Sequence, residues 1–317
     1  MLKVGVIGVG NMGKNHVRSY SKIKNVKLTS VADLDSGKGR DIASRFNLTY
    51  YNDFIELLDE QKPDIVSICV PSSYHFAVAV ECLKRNTHVL LEKPIALKLE
   101  DARRLVAIAK KKRLKFLVGH IERHNPAVKK VKEMIDKGDL GEISAITMRR
   151  VGGFPPQIKD ANIAVDLAIH DIDIANFLLD QKPLEVFSNK QRYHIESRED
   201  SVEFFMKYKK TSVYIQANWI SPVKIRKLTV TGTEGYLEMD YITQRIEFYK
   251  SNYSKFKQAS EGYSDYVLLF SDPDKISISV AKKEPLQEEI SYFVNAVQNN
   301  IEIDTNFAVE ALKIALK

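Results

Sequence analysis

The segment Lys3 to Tyr20, KVGVIGVGNMGKNHVRSY, constrains the fold of this chain more than any other. An apolar run leads into three glycines with the spacing GxGxxG, and a helical pattern follows at once. The first glycine permits a tight turn, the second lets the backbone approach a ligand, and the third lets the helix pack close to the strand. The helix N–H groups and dipole then attract phosphate. The segment predicts a dinucleotide-binding unit whose loop contacts come from Gly8, Gly10, Asn11, Met12 and Gly13.

A carboxylate at the end of the second strand pattern indicates which dinucleotide is bound. Asp33 follows Gly13 at about the 20-residue spacing of the acid that hydrogen-bonds the adenosine ribose. The alternative is a helix-capping Asp, although Asp35 can fill that role. Because a carboxylate repels a 2′-phosphate, NAD is favoured over NADP, even though two basic residues lie just downstream.

Strand and helix patterns alternate through the first 120 residues. Repeated βαβ units predict a parallel, doubly wound sheet that binds ligands at the carboxyl ends of its strands. From residue 184 to about 249, successive strand patterns with turn signals predict antiparallel sheet, and two helices close the chain. A chain of 317 residues exceeds the usual size of one core. We therefore predict an α/β chain with an N-terminal Rossmann domain at 1–120 and a C-terminal α+β domain, with a large, mostly antiparallel open sheet, at 121–317.

The composition excludes several classes of protein. The chain is 44% hydrophobic and 28% charged, which is typical of globular proteins, and no apolar run approaches a membrane span. The net charge of +7 is spread along the sequence without a basic, aromatic-rich face, so no nucleic-acid partner is expected. The two cysteines lie in a strand and a helix pattern, which favours buried thiols in a reducing cytoplasm. The start lacks a signal-peptide pattern, and no metal site is predicted.

Three stretches carry the residues expected to do chemistry. The first two stretches are Pro71–His75 and Glu92–Pro94. They follow the fourth and fifth predicted strands, at the edge of the sheet where ligands bind. The third is a helix predicted over Val165–Leu179, which is apolar on most sides and therefore buried, with Asp166, His170 and Asp173 on its remaining face. The residues of the first two stretches predicted to contact the cofactor are Pro71, Ser72, His75, Glu92 and Lys93.

Together these residues predict the oxidation of a secondary alcohol. His170 has a suitable ordinary pKa for the general base, and Asp166 would orient its ring. Lys93 would hold the substrate hydroxyl and stabilise alkoxide charge. Each residue also has a simpler interpretation. His170 would be a core histidine bonded to a carbonyl, Asp166 would start its helix, and Lys93 would be solvated. A metal ion held by His170, Asp171 and Asp173 is not expected, because side chains this close in sequence do not converge on one ion.

With these residues in hand, the chain resembles the oxidoreductase family of glucose–fructose oxidoreductase and inositol 2-dehydrogenase (Gfo/Idh/MocA). The matching segments are GVIGVGNMG, Val70–His75, Glu92-Lys93-Pro94, Asp166-x-x-x-His170, Val230–Gly235 and the closing Glu284–Val297 helix. The resemblance implies that Lys93, Asp166 and His170 form the catalytic set, that the Lys93–Pro94 peptide is cis, and that the open sheet of the second domain forms homodimer or homotetramer contacts.

The stretch Val151–Ile174 is similar to members that oxidise the 3-hydroxyl of UDP-N-acetylglucosamine. For such a nucleotide-sugar substrate, basic side chains are expected to meet the diphosphate. Those considered are Arg123, Arg149, Arg150 and Lys159, and about half of them are expected to be ordinary surface charges. Arg123 and Arg149 are retained as predicted substrate contacts, and Arg123 is expected to contact the cofactor as well. One departure from the family is a final helix that is shorter than expected.

Three alternatives to a nucleotide-sugar dehydrogenase stay open at this point. A free polyol, inositol or other sugar dehydrogenase uses the same residues. NAD-assisted glycoside cleavage begins with the same hydride step. A dinucleotide-sensing binding protein needs neither Lys93 nor His170, so the presence of both argues against it.

Overall fold

A computed structural model of the chain describes residues 1–154, 161–251 and 274–317. These residues divide into two compact units. Most of the first unit is Met1–His124 together with Glu284–Leu316, and the second is drawn from the residues between them.

The first unit contains a six-stranded parallel sheet with helices in its connections. The strand order β3-β2-β1-β4-β5-β6 is that of the predicted doubly wound sheet, and every pairing in it is parallel. The strands are β1 (Leu2–Ile7), β2 (Val26–Ala32), β3 (Thr49–Tyr51), β4 (Ile65–Ile68), β5 (His88–Glu92) and β6 (Phe116–Gly119). The helices between them are α1 (Gly13–Tyr20), α2 (Ser36–Phe46), α3 (Phe54–Gln61), α4 (His75–Lys84) and α5 (Leu99–Lys111).

The order of these strands decides where a ligand can bind. The chain runs outward from β1 through β2 to β3, and then returns to the other side of β1 with β4. At such a switch point the loops that follow the two central strands diverge, which leaves a crevice at their carboxyl ends. The loops after β1, β4 and β5 therefore meet at one edge of the sheet.

The two closing helices, α8 (Pro285–Gln298) and α9 (Asn306–Ala315), belong to the first unit. Apolar residues of α8 share a hydrophobic core with Val4, Val6 and Val17 of the first strand and helix. Their position after the second domain in sequence predicts that both helices belong to it. Packing assigns them to the first unit, because α8 is buried against β1 and α1, and α9 lies against α5.

The second unit is built on an eight-stranded sheet with the order β14-β13-β12-β11-β7-β10-β9-β8. Among the described strands of this sheet only the β7–β10 pairing is parallel, so the prediction of a large, mostly antiparallel sheet is confirmed. Its strands are β7 (Ile143–Gly153), β8 (Glu185–Gln191), β9 (Ser201–Lys207), β10 (Ser212–Asn218), β11 (Ile220–Gly232), β12 (Gly235–Asp240), β13 (Arg245–Lys250) and β14 (Lys275–Ile278).

The described part of the second unit contains two helices, α6 (Pro126–Asp136) and α7 (Ile169–Leu179), and α7 lies against β7 and β10. The predicted single helix over Val165–Leu179 begins instead with a π-helical turn at Ala164–Ala168. The glycines and prolines of the segment 152–156 predict a loop, whereas β7 extends through Gly153.

No helix among the described residues is long and apolar enough to cross a membrane. The stretch 250–275 is rich in Ser, Lys and Tyr, which predicts a long hairpin or loop, and it lies mostly outside the described residues. Lys159 lies outside them as well.

Candidate active site

The glycine loop after β1 has the geometry that its spacing predicts. Gly8 has a φ of +84°, and a Cβ there would lie 2.8 Å from the backbone of Cys69. A Cβ on Gly13 would overlap the carbonyl of Gly8, so only glycine lets α1 start this close to the strand. A Cβ on Gly10 would meet nothing within 4 Å, which leaves space in front of the loop for a ligand. The residues present therefore fit the pyrophosphate of a dinucleotide.

Asp33 lies at the end of β2, beside this loop. One carboxylate oxygen accepts a hydrogen bond from the Val9 N–H at 2.7 Å, and the other accepts from the Asp35 N–H at 2.8 Å. The carboxylate is thereby held at the mouth of the loop, with lone pairs remaining for a ribose hydroxyl. Of the two basic residues downstream, Lys38 forms an ion pair with Asp35, and the Arg40 guanidinium lies 5.8 Å from the centre of the Tyr50 ring.

The loops after β4 and β5 bring Pro71, Ser72 and Lys93 to the same edge of the parallel sheet. A short 3-10 turn at Ser72–Tyr74 leads into α4. The Lys93–Pro94 peptide is cis, as the family resemblance implies, and Lys93 is half-buried between Glu92 and Pro94, which are both buried.

A buried hydrogen bond between side chains connects the glycine loop helix to this lysine turn. His16 on α1 and Glu92 at the end of β5 are joined by a 2.9 Å contact between Nε2 and Oε1. Desolvation raises the pKa of Glu92, but the hydrogen bond with His16 and the charges of His16, Lys93 and His75 outweigh it and hold that pKa below its usual value. Glu92 is therefore an anion at the centre of a set of basic groups.

The sequence contains one indication of the contact between His16 and Glu92 that the motifs do not use. His16 lies on the buried face of α1, with Gly13, Val17 and Tyr20. A buried imidazole requires a partner, but the partner is 76 residues away and the pattern does not name it. Cys69 joins the same group, since one ligand atom from each of His16, Cys69 and Glu92 lies within 4.8 Å of the others. Burial, with the charges of Glu92 and Glu289, raises the pKa of the Cys69 thiol, so the thiol stays protonated.

The second unit holds Asp166 and His170. Asp166 is buried within the π-helical turn, and His170 is half-buried at the start of α7. The turn is widened because the Ile169 N–H bonds to the Ala164 carbonyl, five residues back. The spacing argument for Asp166 and His170 assumed an α-helix, and a π-helical turn changes their offset. Such turns occur often at functional sites.

The two neighbouring arginines of β7 separate onto opposite faces of the sheet. Arg150 is buried and contacts Asp171 of α7 through Nε at 3.1 Å and Nη2 at 2.8 Å. Its guanidinium also lies 4.7 Å from the centre of the Tyr241 ring. Arg149 is exposed and donates to Gln216. Successive strand residues face opposite ways, so Arg149 lies on the face away from α7.

These positions correct the expected diphosphate contacts. Arg150 is wrong as a substrate ligand because its guanidinium is already paired in the core. Arg149 does not share a face of the sheet with His170, so we remove it from the substrate-binding set. Arg123 follows β6 in the first unit, and its guanidinium stacks 3.9 Å from the centre of the Phe307 ring of α9.

Comparison with known proteins agrees with this geometry. A family model described as "Oxidoreductase family, NAD-binding Rossmann fold" matches residues 2–120. A second model, the GFO/IDH/MocA C-terminal domain, matches residues 128–238. The chain belongs to the Gfo/Idh/MocA oxidoreductase family. The predicted resemblance is confirmed, and so is the prediction of an NAD(P)-dependent dehydrogenase acting on CH–OH.

Individual members of the Gfo/Idh/MocA family are similar at modest identity. UDP-N-acetylglucosamine 3-dehydrogenase of Acidithiobacillus ferrooxidans is 25% identical over 296 residues, which is 93% of this chain and 88% of that protein. Its solved structure covers 99% of this chain and 95% of its own, with a TM-score of 0.85. An inositol 2-dehydrogenase/D-chiro-inositol 3-dehydrogenase of Lactiplantibacillus plantarum is 28% identical over 267 residues, 80% of this chain and 75% of that protein.

One further group in the Rossmann unit of this Gfo/Idh/MocA chain was not predicted. Glu289 on α8 is 0% exposed, and neither of its carboxylate oxygens has a hydrogen-bond partner in the described part of the chain. Desolvation, with the charge of Glu92 as a smaller cause, raises its pKa well above the usual value. The acid form is therefore favoured in the folded state.

Glu289→Gln is expected to gain stability relative to the native chain as pH rises. In the unfolded chain Glu289 loses its proton near pH 4.3, whereas the folded chain retains it to higher pH. Folding then requires proton uptake, so stability falls as pH rises from the unfolded pKa towards the folded one, by about 1.4 kcal/mol for each pH unit in that interval. Glutamine removes this dependence. Thermal unfolding between pH 5 and pH 9 measures the difference.

The matched control is Glu302→Gln, which makes the same change at an exposed position. Its unfolding temperature should run parallel to that of the native chain. Parallel curves for Glu289→Gln as well would show that Glu289 is ionised in the folded protein.

Proposed function

We propose that this oxidoreductase uses NAD to oxidise the 3-hydroxyl of a UDP-N-acetylhexosamine to a 3-keto sugar. The observation that carries the proposal is the extent of one similarity. The match to UDP-N-acetylglucosamine 3-dehydrogenase runs through 93% of this chain in sequence and 99% in structure. A similarity that spans both units includes the unit expected to bind the substrate.

Each catalytic residue has a separate task in this proposal. Bound NAD supplies the hydride acceptor for the substrate carbon. The Lys93 ammonium donates to the substrate oxygen and stabilises the alkoxide charge that develops there. His170 takes the hydroxyl proton as general base, and Asp166 stabilises the imidazolium that forms. The helix position of Asp166, buried one turn before His170, supports this division of roles.

NAD, and not NADP, is the proposed cofactor. The support is the Asp33 carboxylate, held beside the glycine loop by the N–H groups of Val9 and Asp35. A 2′-phosphate would place a second anion next to it. The proposed cofactor contacts are Gly8, Gly10, Asn11, Met12, Gly13, Asp33, Pro71, Ser72, Glu92, Lys93 and Arg123, and the proposed substrate contacts are Lys93, Arg123, Asp166 and His170.

A homo-oligomer through the second sheet is also proposed. Its support is an aromatic row on the sheet face away from α7: Phe187, Phe205 and Tyr214 lie on the adjacent strands β8, β9 and β10 with ring centres 6.1 and 5.1 Å apart. Phe187 is 58% exposed and Tyr214 is 48% exposed. A contiguous exposed aromatic patch is typical of a protein–protein interface.

The second candidate is an inositol or other polyol dehydrogenase, which the 28% identity to the inositol enzyme favours. A substrate panel separates the two. We expect NAD reduction with UDP-N-acetylglucosamine or its galacto epimer, and at least 100-fold lower kcat/KM with free N-acetylglucosamine and myo-inositol, because a free sugar lacks the diphosphate binding energy. Carbon NMR of the product should place the ketone at C3. Turnover of inositol alone would establish the second candidate.

A further inference from the structure

His75, the first residue of α4, bridges two loops through both nitrogens of its ring. Nδ1 lies 2.7 Å from the Pro94 carbonyl oxygen, and Nε2 lies 3.0 Å from the Val70 carbonyl oxygen. The side chain is buried, with 1% of the residue exposed. A carbonyl oxygen only accepts hydrogen bonds, so each ring nitrogen must donate one. A neutral imidazole has one N–H and would direct a lone pair at one of these carbonyls.

From this arrangement we propose that His75 is an imidazolium cation that positions Lys93. Both of its N–H groups are used within the protein fold, so His75 acts on the reaction through Lys93 and does not touch the cofactor. This replaces the predicted role of His75 as a cofactor contact. The proposal deepens the proposed function and rests on it for the role of Lys93.

A buried cation needs a counter-charge. The Glu92 carboxylate supplies it, since the charge of His75 is among the causes that hold the pKa of Glu92 low. The other titratable groups around Glu92 are His16 from α1, Lys93 in the same turn, Cys69 after β4 and Glu289 from α8. Glu289 and Cys69 favour their neutral forms, so Glu92 is the anion that balances these basic groups.

The two carbonyls that His75 holds belong to different loops. Val70 precedes Pro71 and Ser72 in the loop after β4, and Pro94 follows Lys93 in the turn after β5. The imidazolium fixes the spacing of these loops at the edge of the sheet. The residues on both sides of Lys93 are then held in place. Glu92 is held by its contact with His16, and Pro94 is held by its contact with His75. A lysine on a turn held this way keeps its ammonium at one place, which a hydroxyl-orienting residue requires.

The protonation state is tested by long-range proton–nitrogen NMR of the native protein at neutral pH. We expect two protonated nitrogens for His75, assigned by the loss of its signals in His75→Gln. His88 is an internal reference, because its Nδ1 accepts from the Lys115 N–H and must carry a lone pair. Burial and the charge of Lys115 also lower the pKa of His88. A single protonated nitrogen on His75 would overturn the imidazolium assignment, whether or not the protein turns over any substrate.

The positioning role is tested by His75→Gln against His88→Gln. We expect His75→Gln to lower kcat on the order of 100-fold, with KM for NAD within a few-fold of the native value, and to shift the Lys93 side-chain resonances. His88→Gln should leave kcat and those resonances unchanged. Unchanged Lys93 resonances in His75→Gln would overturn the role without reference to turnover. Absence of turnover in the native protein would instead count against the proposed function. If His75→Gln does not fold, His75→Asn takes its place.

Discussion

Lys93→Met and His170→Asn are each expected to lower kcat by about 100- to 10,000-fold while NAD still binds. Methionine keeps the length of lysine without the ammonium that would stabilise the alkoxide. Asparagine keeps a polar side chain but cannot take the hydroxyl proton at neutral pH. The proposed roles belong to the transition state, so kcat and kcat/KM should fall together. Stopped-flow NADH formation gives the rates, and calorimetry gives the affinity for NAD.

Each unit offers a matched control. Lys98→Met makes the same change at an exposed lysine five residues further along, and His194→Asn does so at an exposed histidine of the second unit. Both should retain native rates. If Lys93→Met and His170→Asn also retained native rates, the chain would keep its family and its fold, but the catalytic assignment would be lost.

Arg150→Met is expected to destabilise the second unit by about 3–5 kcal/mol. The substitution leaves the Asp171 carboxylate buried without the guanidinium that contacts it at 2.8–3.1 Å, and it removes the stack on Tyr241. An uncompensated buried charge is among the few causes of so large a loss. Urea unfolding followed by fluorescence measures it, since the single tryptophan, Trp219, is buried in this unit.

Arg149→Met is the control, because it removes the same charge from the adjacent, exposed position. Its effect should stay within about 0.5 kcal/mol. The double variant Arg150→Met/Asp171→Leu should recover much of the lost stability, since it leaves no buried charge. Equal losses from Arg149→Met and Arg150→Met would show that the buried pair contributes no more than a surface contact.

The first unit was largely predictable from the sequence because its signals are local. Gly8, Gly10 and Gly13 specify a turn that few other residues allow, and the apolar runs of β1 and β4 are typical of strands buried on both faces. The order of strands and helices follows from these signals alone. The cis peptide at Lys93–Pro94 came from the resemblance to a family and not from the residues themselves.

The errors have different physical origins. Placing Arg149 and Arg150 together ignored the two-residue period of a strand, which the sequence already contained. The π-helical turn at Ala164–Ala168 has no residue pattern of its own, so an α-helix was the natural expectation. Two contacts join residues that are far apart in sequence. His16 and Glu92 are 76 positions apart, and α8 and β1 are more than 270 positions apart. A single sequence carries no local pattern that identifies such long-range partners.

The return of α8 to the core of β1 has a consequence for biosynthesis. When a ribosome has released residues 1–124, all six parallel strands exist, but Leu286, Ile290 and Phe293, which complete their hydrophobic core, have not been synthesised. The nucleotide-binding half of the enzyme therefore reaches its final packing only when translation is nearly finished, after the whole of the second unit has emerged. A nascent chain stalled before α8 would expose the apolar side of α1 to chaperones and proteases.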